Sequence, residues 1–542
     1  MCARLTAAYI VAAGWMFCSA QTNVLTQHND TSRTGQNLTE TILTPANVNA
    51  ATFGQLGTFY VDGFVYAQPL YVASVSMRGR SPVPVVYAAT ENDSVYAFSP
   101  VTGNEYWQVS LLGRRETPSD IRNCNNLTPQ MGITATPVID LNAGPHGTIY
   151  VEAMSKDRWG NYHHRLHALD ITNGREEFNG PAEITATYPG TGENSLNGTV
   201  YFTPGQELAR AGLLVYQGSV YMGFGGICDH QPYSGWLIGY NETTLSQTGA
   251  LDFAPNGEGA GLWQGGGGIA VGPGGDLFVS IGNGTFDTGL TSLGFPAQGD
   301  YGNALVKLVP SGNFTVADYW TMSNTVAESA ADEDLGSGGV VILPNLENAQ
   351  GKTYQLAVAA GKDKNIYVFN PSAMGKFNPN NNNALYQQVI GALGGGEFGI
   401  PAWFNGTLYF SASKDVIRAF PVQNAQVSST PSSMGSEIFG YPGSTPAISA
   451  NGTRNAILWT IQSYPGILRA YDATNLANEL YNTTQAPNGR DALGTGVKFT
   501  VPTIADGRVI VGTTNGVVVY TLLSSSATSK AEGFRRSAAQ RQ

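Results

Sequence analysis

Short apolar runs recur along the chain, and within them apolar positions alternate with small or polar ones. Val85–Ala89 is followed after a turn by Ser94–Phe98, and the same pairing returns many times. Alternation of this kind is typical of half-buried antiparallel strands. Further pairs are 147–151 with 165–169, 355–359 with 365–369, and 509–511 with 517–520.

The strand pairs belong to a larger repeat. Each unit has a small residue or proline, an apolar strand, a second strand with a central tyrosine, and a third strand after a glycine or acidic turn. The units begin near Ala67, Gly132, Gly212, Gly266, Gly338, Gly399, Ser444 and Val501. Repeats of this length are typical of four-stranded propeller blades. The sequence therefore predicts an all-β fold, an eight-bladed β-propeller of four-stranded antiparallel blades, with seven blades as the alternative because the sixth and eighth units are short.

The repeat also sets the domain boundaries. Residues 67–522 are predicted to form one propeller, and residues 21–66 an N-terminal extension that completes the last blade. A basic tail, 523–542, is expected to be flexible. Radial closure explains how one domain can be so long, because each blade buries both faces against its neighbours.

Composition narrows the class of protein. Of 542 residues only 12% are charged, 67 are glycine and 10% are aromatic, which does not suit coiled coils or helical bundles. With 42% hydrophobic residues, intrinsic disorder is excluded for most of the chain. The net charge of −11 excludes nucleic acid as the main partner.

The N-terminus has the features of a signal peptide. Arg4 precedes the apolar run Leu5–Phe17, and Cys18-Ser19-Ala20 offers a small-residue cleavage site. We therefore expect residues 1–20 to be a leader, no membrane span, and a secreted or periplasmic monomer. The mature chain then keeps Cys124 and Cys228, which most simply form one disulfide, the alternative being two buried thiols.

A second pattern follows the third strand of several units. Ala97–Trp107 resembles the "A-x-D-x-x-T-G-x-E-x-W" docking motif of the pyrroloquinoline-quinone (PQQ) dehydrogenases, and 168–178 repeats it. The terminal aromatic residue of such a motif packs into the neighbouring blade. The resemblance covers essentially the whole mature chain and implies a quinoprotein-like propeller, with PQQ and calcium at its central channel.

Four positions resemble the functional residues of that family. Phe278–Gly284 is similar to the strand ending in "G-x-G-N", which implies that Asn283 is a calcium ligand, and Asp229 follows Gly225-Gly226 where the family has its acidic ligand. The stretch around Asp300 is similar to the one that carries the general base. Lys362 corresponds to the basic residue that contacts the quinone.

The sequence departs from the family at three other positions. The glycine run Gly265–Gly268 lacks a tryptophan at its end, since Trp263 precedes it. There is no vicinal cysteine pair, and Met131-Gly132 replaces the arginine that contacts the cofactor carboxylate. Asn283, Asp300 and Lys362 are equally consistent with ordinary turn residues. The acidic run Asp332–Asp334 is interpreted as a solvated loop, with a channel or cation-binding role as the alternative.

Two functions remain open from the sequence. The first is an exported PQQ- and calcium-dependent oxidoreductase acting on an alcohol or a sugar. The second is a non-catalytic propeller that binds a protein or glycan partner. In either case we expect a small-molecule or glycan ligand in the central channel, or a protein partner.

Overall fold

The computed structural model describes residues 22–523. The predicted leader and the basic tail beyond Leu523 lie outside the described residues. Within them, the strands form eight sheets of four or five strands and one three-stranded sheet. All pairings are antiparallel except that of one short N-terminal strand, so the predicted all-β class is confirmed. No helix in residues 22–523 is both long enough and apolar enough to cross a bilayer.

Sheets 1 to 4 follow one another along the chain between residues 70 and 320. Sheet 1 contains Leu70–Val75, Val83–Ala89, Ser94–Phe98 and Glu105–Ser110; sheet 2 contains Thr117–Pro118, Val138–Asp140, Thr148–Lys156, Tyr162–Asp170 and Ala182–Glu183; sheet 3 contains Glu207–Ala209, Leu214–Tyr216, Ser219–Gly226, Trp236–Asn241 and Gln247–Asp252; sheet 4 contains Ala270–Val271, Leu277–Ser280, Leu305–Val309 and Thr315–Trp320.

Sheets 5 to 8 continue in the same order and take up two strands from the N-terminal segment. Sheet 5 contains Val341–Glu347, Thr353–Ala360, Ile366–Phe369 and Gln387–Val389; sheet 6 contains Ala402–Phe404, Thr407–Phe410, Asp415–Gln423, Gln426–Val427 and Ser433–Phe439; sheet 7 contains Ala447–Asn451, Arg454–Gln462, Ile467–Asp472, Glu479–Asn482 and the parallel strand Gln36–Asn37; sheet 8 contains Thr503–Ala505, Arg508–Gly512, Gly516–Leu522 and Phe53–Tyr60.

The remaining elements are short. The small sheet contains Thr187–Pro189, Ser195–Leu196 and Thr199–Tyr201, and the α-helix spans Thr325–Ala330. Single 3₁₀ turns occupy Ile227–Asp229, Pro273–Gly275, Leu335–Ser337 and Pro487–Gly489.

Consecutive sheets pack face to face and close a ring. A buried apolar cluster lies between each pair of neighbours, and the cluster that joins sheet 8 to sheet 1 sets Val517 and Val519 against Tyr71 and Val86. Strand Phe53–Tyr60 pairs antiparallel with Gly516–Leu522. Because every sheet has two neighbours, few faces meet water, which accounts for the scarcity of charged residues.

One end of the central channel is filled by residues 24–37, which we call the N-terminal plug. The plug bonds to the inner part of every sheet in turn, a role that its polar sequence did not predict. The partners are Tyr71 in sheet 1, Ile139 in sheet 2, Leu213 directly before a strand of sheet 3, Val271 in sheet 4, Ile342 in sheet 5, Trp403 in sheet 6, Ile448 in sheet 7 and Ile504 in sheet 8.

Arg33 holds the plug together from within. Its side chain is fully buried, its Nε donates to the Ile269 carbonyl at 2.9 Å, and its Nη1 donates to the Gln27 carbonyl at 2.6 Å and to Thr26 Oγ1 at 2.7 Å. Burial lowers its pKa to about 10. The guanidinium stays charged near neutral pH and compensates its desolvation through backbone oxygens.

The glycine run Gly265–Gly268 crosses the channel above the plug. A Cβ on Gly265, where φ is +47°, would lie 1.7 Å from the Phe398 carbonyl oxygen, and one on Gly266 would lie 2.2 Å from Thr445 Oγ1. Only glycine fits where several inner strands approach the axis this closely. The axis of the channel is therefore closed at this level, while a cavity of about 440 Å³ lies beside the plug, between sheets 2 and 3.

Candidate functional site at the upper end of the channel

Connections from three neighbouring sheets meet at the end of the channel opposite the plug. In each of sheets 3, 4 and 5, the second long strand is followed by a polar residue, which is Asp229, Asn283 and Lys362, respectively. The connection between sheets 4 and 5 adds Asp332 and Asp334. Equivalent turns of packed antiparallel sheets point to the same end of a propeller. We call these five residues the upper-end site.

Lys362 is the cation of the upper-end site. Its Nζ lies 2.7 Å from Asp334 Oδ1 and also forms an ion pair with Asp332. The Asp334 side chain is 1% exposed and that of Asp332 is 62% exposed, so only one of the two pairs is buried. Although burial opposes the charge, the two carboxylates raise the pKa of Lys362.

Asp334 carries a buried oxygen that is not hydrogen-bonded. Its Oδ2 has no partner among the described residues, and burial raises its pKa while the Lys362 ammonium opposes that rise. The amide nitrogen of Asn283 donates to Asp332 Oδ1 at 3.2 Å, but its Oδ1 is likewise buried without a partner in the described chain. Two acceptor oxygens at one site are thus available to a cation or a donor.

Asp229 lies at the edge of the site in a strained turn. Cys228 and Asp229 both have positive φ, 53° and 55°, and Asp229 Oδ1 accepts the Tyr233 hydroxyl at 2.8 Å. Although its side chain is exposed, partial desolvation raises its pKa and Lys362 opposes the rise. The predicted disulfide is present between Cys124 and Cys228, with a Cα–Cα distance of 5.5 Å, and fastens this turn to the segment between the first two strands of sheet 2.

Trp263 lies against the buried acid, although the sequence placed it outside the expected motif. Its Nε1 donates to the Gly226 carbonyl at 2.9 Å, and its ring centroid is 5.7 Å from that of Tyr233. A Cβ on Gly282 would lie 2.3 Å from the indole and 3.2 Å from Asp334 Oδ2. The missing side chain at Gly282 is what lets the indole approach Asp334.

Asp300 belongs to a different set of contacts. It is 2% exposed, its Oδ1 accepts the Asn256 backbone N–H at 2.9 Å, and burial with the nearby Asp287 raises its pKa to about 6. Within residues 22–523, no hydrogen bond or ion pair joins Asp300 to Asn283, Asp229 or Lys362. The carboxylate that shares the site with Lys362 is Asp334, although its sequence neighbours give it the pattern of a solvated loop.

Comparisons with solved structures give close architectural neighbours. The quinohemoprotein alcohol dehydrogenase from Comamonas testosteroni aligns over 93% of this chain and 81% of its own, with a TM-score of 0.60 and 16% identity. A quinohemoprotein alcohol dehydrogenase from Pseudomonas putida HK5 aligns over 92% of this chain and 80% of its own, with a TM-score of 0.57 and 14% identity. A europium-containing methanol dehydrogenase aligns over 93% of this chain and 98% of its own, with a TM-score of 0.57 and 13% identity.

The chain has the PQQ-dehydrogenase propeller fold. This confirms the architecture implied by the docking motifs. No family model matches the chain, and no curated protein matches it. At 13–16% identity the likeness concerns the fold alone, so the chemistry of this PQQ-dehydrogenase-type propeller has to be argued from its own side chains.

The side chains present fit the groups that the fold implies. The unpartnered Asn283 Oδ1 and the Asp229 carboxylate are oxygen donors of the kind that calcium prefers, which leaves the unpartnered Asp334 Oδ2 free to accept a proton. In the described residues no three His, Cys, Asp or Glu side chains are grouped to hold a metal, so a calcium site depends on the Asn283 amide. The Trp263 indole offers a planar surface for a ring system.

Proposed function

We propose that the protein is an exported quinoprotein-like oxidoreductase that oxidises the hydroxyl of an alcohol or sugar, using PQQ and calcium. The observation that carries the proposal is the buried Lys362–Asp334 ion pair, whose free carboxylate oxygen lies beside Trp263 and near Asn283. When bound, PQQ accepts two electrons as hydride, and calcium polarises the acceptor carbonyl.

Asp334 is assigned as the general base in this proposal. Its Oδ2 accepts the hydroxyl proton, while the Lys362 ammonium holds the carboxylate in place through Oδ1. Burial makes this acid a stronger proton acceptor than an exposed one, because its pKa is raised. Asn283 and Asp229 would hold the calcium, and Lys362 would also contact the acceptor. Asp300 remains the competing base that the sequence motif favours.

A matched pair of variants distinguishes the two bases. Asp334→Asn and Asp300→Asn each replace a buried carboxylate with an isosteric amide. After loading with PQQ and calcium, dye reduction is measured across a panel of primary alcohols and aldoses. We expect kcat to fall about 100-fold or more for Asp334→Asn and to change only slightly for Asp300→Asn. The opposite order would assign the base to Asp300.

One observation favours the second candidate, a non-catalytic propeller that binds a protein or glycan. The cavity lined by Arg210, Tyr66 and Phe499 in the channel measures about 20 Å³, which is room for a single water. If PQQ and calcium change neither the melting temperature nor the tryptophan fluorescence of the wild-type protein, the oxidoreductase proposal fails and the scaffold function stands.

A further inference from the structure

Two cations near the upper-end site have no carboxylate partner. Arg210 directly follows strand Glu207–Ala209 of sheet 3, and Lys498 lies in the connection between sheets 7 and 8. In the described part of the chain, no ion pair is formed by either side chain, and no hydrogen bond by the Arg210 guanidinium. Lys498 Nζ donates to the neutral Asn126 Oδ1 at 3.2 Å.

Three other arginines that are buried or half-buried are compensated. The buried Arg33 donates to backbone oxygens, and Arg165 and Arg418 form ion pairs with carboxylates. The Arg210 guanidinium instead stacks on Phe499, with its central carbon 3.7 Å from the ring centroid. A guanidinium presents five donors, so stacking alone leaves its hydrogen-bonding capacity unused.

The two cations also repel each other. Burial and the neighbouring Arg210 lower the pKa of Lys498. The buried Glu91 attracts Arg210 electrostatically, but its oxygens accept the Gly132 N–H at 2.5 Å and the Thr134 hydroxyl at 2.8 Å and form no hydrogen bond with the guanidinium. Two half-desolvated like charges, neither of them ion-paired with a carboxylate of the described chain, repel each other, and an anion bound between them would relieve that repulsion.

An aromatic edge connects these cations to the upper-end site. Lys362 Nζ lies 5.9 Å from the Phe398 ring, which meets Tyr441 edge-on at 5.0 Å between centroids. Tyr441 is in turn 6.3 Å from Phe499, and Lys498 Nζ lies 5.1 Å from the Tyr441 ring. An anion held by Arg210 and Lys498 therefore lies on the same aromatic-lined surface as the Lys362–Asp334 pair.

We propose that Arg210 and Lys498 form a carboxylate-binding subsite next to the Lys362–Asp334 pair. This inference rests on the proposed function and adds the chemistry of the ligand. The carboxylate belongs either to PQQ, a tricarboxylate, or to an acidic sugar substrate such as a uronate. The subsite supplies a positive charge from the end of a sheet 3 strand and from the connection between sheets 7 and 8. The Met131-Gly132 position carries no such charge, and there Glu91 accepts the Gly132 N–H.

Binding measurements test the subsite independently of turnover. PQQ and its neutral trimethyl ester are titrated by calorimetry into the wild-type protein, Arg210→Gln and Lys498→Gln, together with glucuronate and glucose. If the carboxylate is that of the cofactor, each variant weakens PQQ binding about tenfold or more and leaves ester binding unchanged. If it is that of the substrate, PQQ binding is unchanged and glucuronate binding is weakened while glucose binding is not.

Arg80→Gln is the matched control, because Arg80 also lies over an aromatic ring, that of Tyr106 at 5.6 Å, but on the exposed outer part of sheet 1. We expect Arg210→Gln to melt no lower than wild type, since it removes an uncompensated charge. If it does not fold, Lys498→Gln carries the test. Wild-type affinities for PQQ and glucuronate in both variants would overturn the subsite. Carboxylate binding without alcohol oxidation would overturn the proposed function and leave the subsite standing.

Discussion

Lys362 is the residue on which the upper-end site depends most. It is the only ammonium that the described residues offer to Asp334, whose side chain is almost fully buried. A buried carboxylate deprived of its partner must either stay charged at a high desolvation cost or take up a proton. Stability and site chemistry are therefore coupled at this one side chain.

We expect Lys362→Met to lower the free energy of unfolding by about 3 kcal/mol or more, because it leaves Asp334 unpaired. The loss should be larger at pH 8 than at pH 5, since protonation of Asp334 relieves it. Lys307→Met is the control. Lys307 forms an ion pair with Asp276 at 2.9 Å, but the Asp276 side chain is 19% exposed, whereas that of Asp334 is 1% exposed. Equal losses in urea denaturation of the two variants would contradict this reading.

Sequence motifs found part of this site and missed part for a physical reason. Asp229, Asn283 and Lys362 each follow a strand in a recognisable motif, and all three lie in the upper-end site. Asp334 lies in no such motif, and its exposed neighbours Asp332 and Glu333 give the run the pattern of a solvated loop. Asp334 is buried only because the sheets pack into a ring around it, and no local sequence pattern predicts that burial.

At the scale of the element, the N-terminal plug shows the same limit. The strand Phe53–Tyr60 has apolar positions and was predicted as part of the extension that pairs with the last unit. Residues 24–37 are mostly polar and predict a loop. Their role comes from the inner strands of the ring, which present backbone groups toward the axis that a polar segment can satisfy.

We expect Arg33→Leu to destabilise the protein by about 2 kcal/mol or more, because three buried acceptors, including the Ile269 and Gln27 carbonyls, lose their donor. Arg175→Leu, at an exposed turn, serves as the control and should change stability by less than about 0.5 kcal/mol. Urea denaturation followed by tryptophan fluorescence measures both. If Arg33→Leu left the free energy of unfolding nearly unchanged, the guanidinium of Arg33 would not be what holds the plug.

At the scale of the whole molecule, the closed ring buries several carboxyl groups. Burial raises the pKa of Glu91, Asp252 and Glu397 to about 7 in each case. The low charge content of the sequence fits the packed faces of the sheets, but the positions of the remaining charges cannot be predicted from the sequence. They are buried because blade packing encloses the turns that carry them.

This burial predicts how stability depends on pH. A carboxyl group whose pKa is higher in the folded protein than in the unfolded chain binds more protons when folded, over the interval between the two values. The contribution of each group to the free energy of unfolding is therefore fully present below about pH 4. It is lost as pH rises from there through about 7, at a rate that approaches 1.4 kcal/mol per pH unit for each group. Glu116 acts oppositely, but its pKa is lowered to about 2, so its effect is confined to strongly acidic solution.

The protein should accordingly melt at a higher temperature at pH 5 than at pH 8, as measured by differential scanning fluorimetry in buffers of equal ionic strength. Glu397→Gln should flatten this dependence, because it removes one buried titrating group while its amide oxygen can still accept the Gly399 N–H, which lies 2.8 Å from the present Oε1. Glu105→Gln, at an exposed strand position, controls for the loss of one surface charge. A melting temperature that rises from pH 5 to pH 8, or a Glu397→Gln slope identical to that of wild type, would mean that these carboxyl groups are not buried in their neutral form in solution.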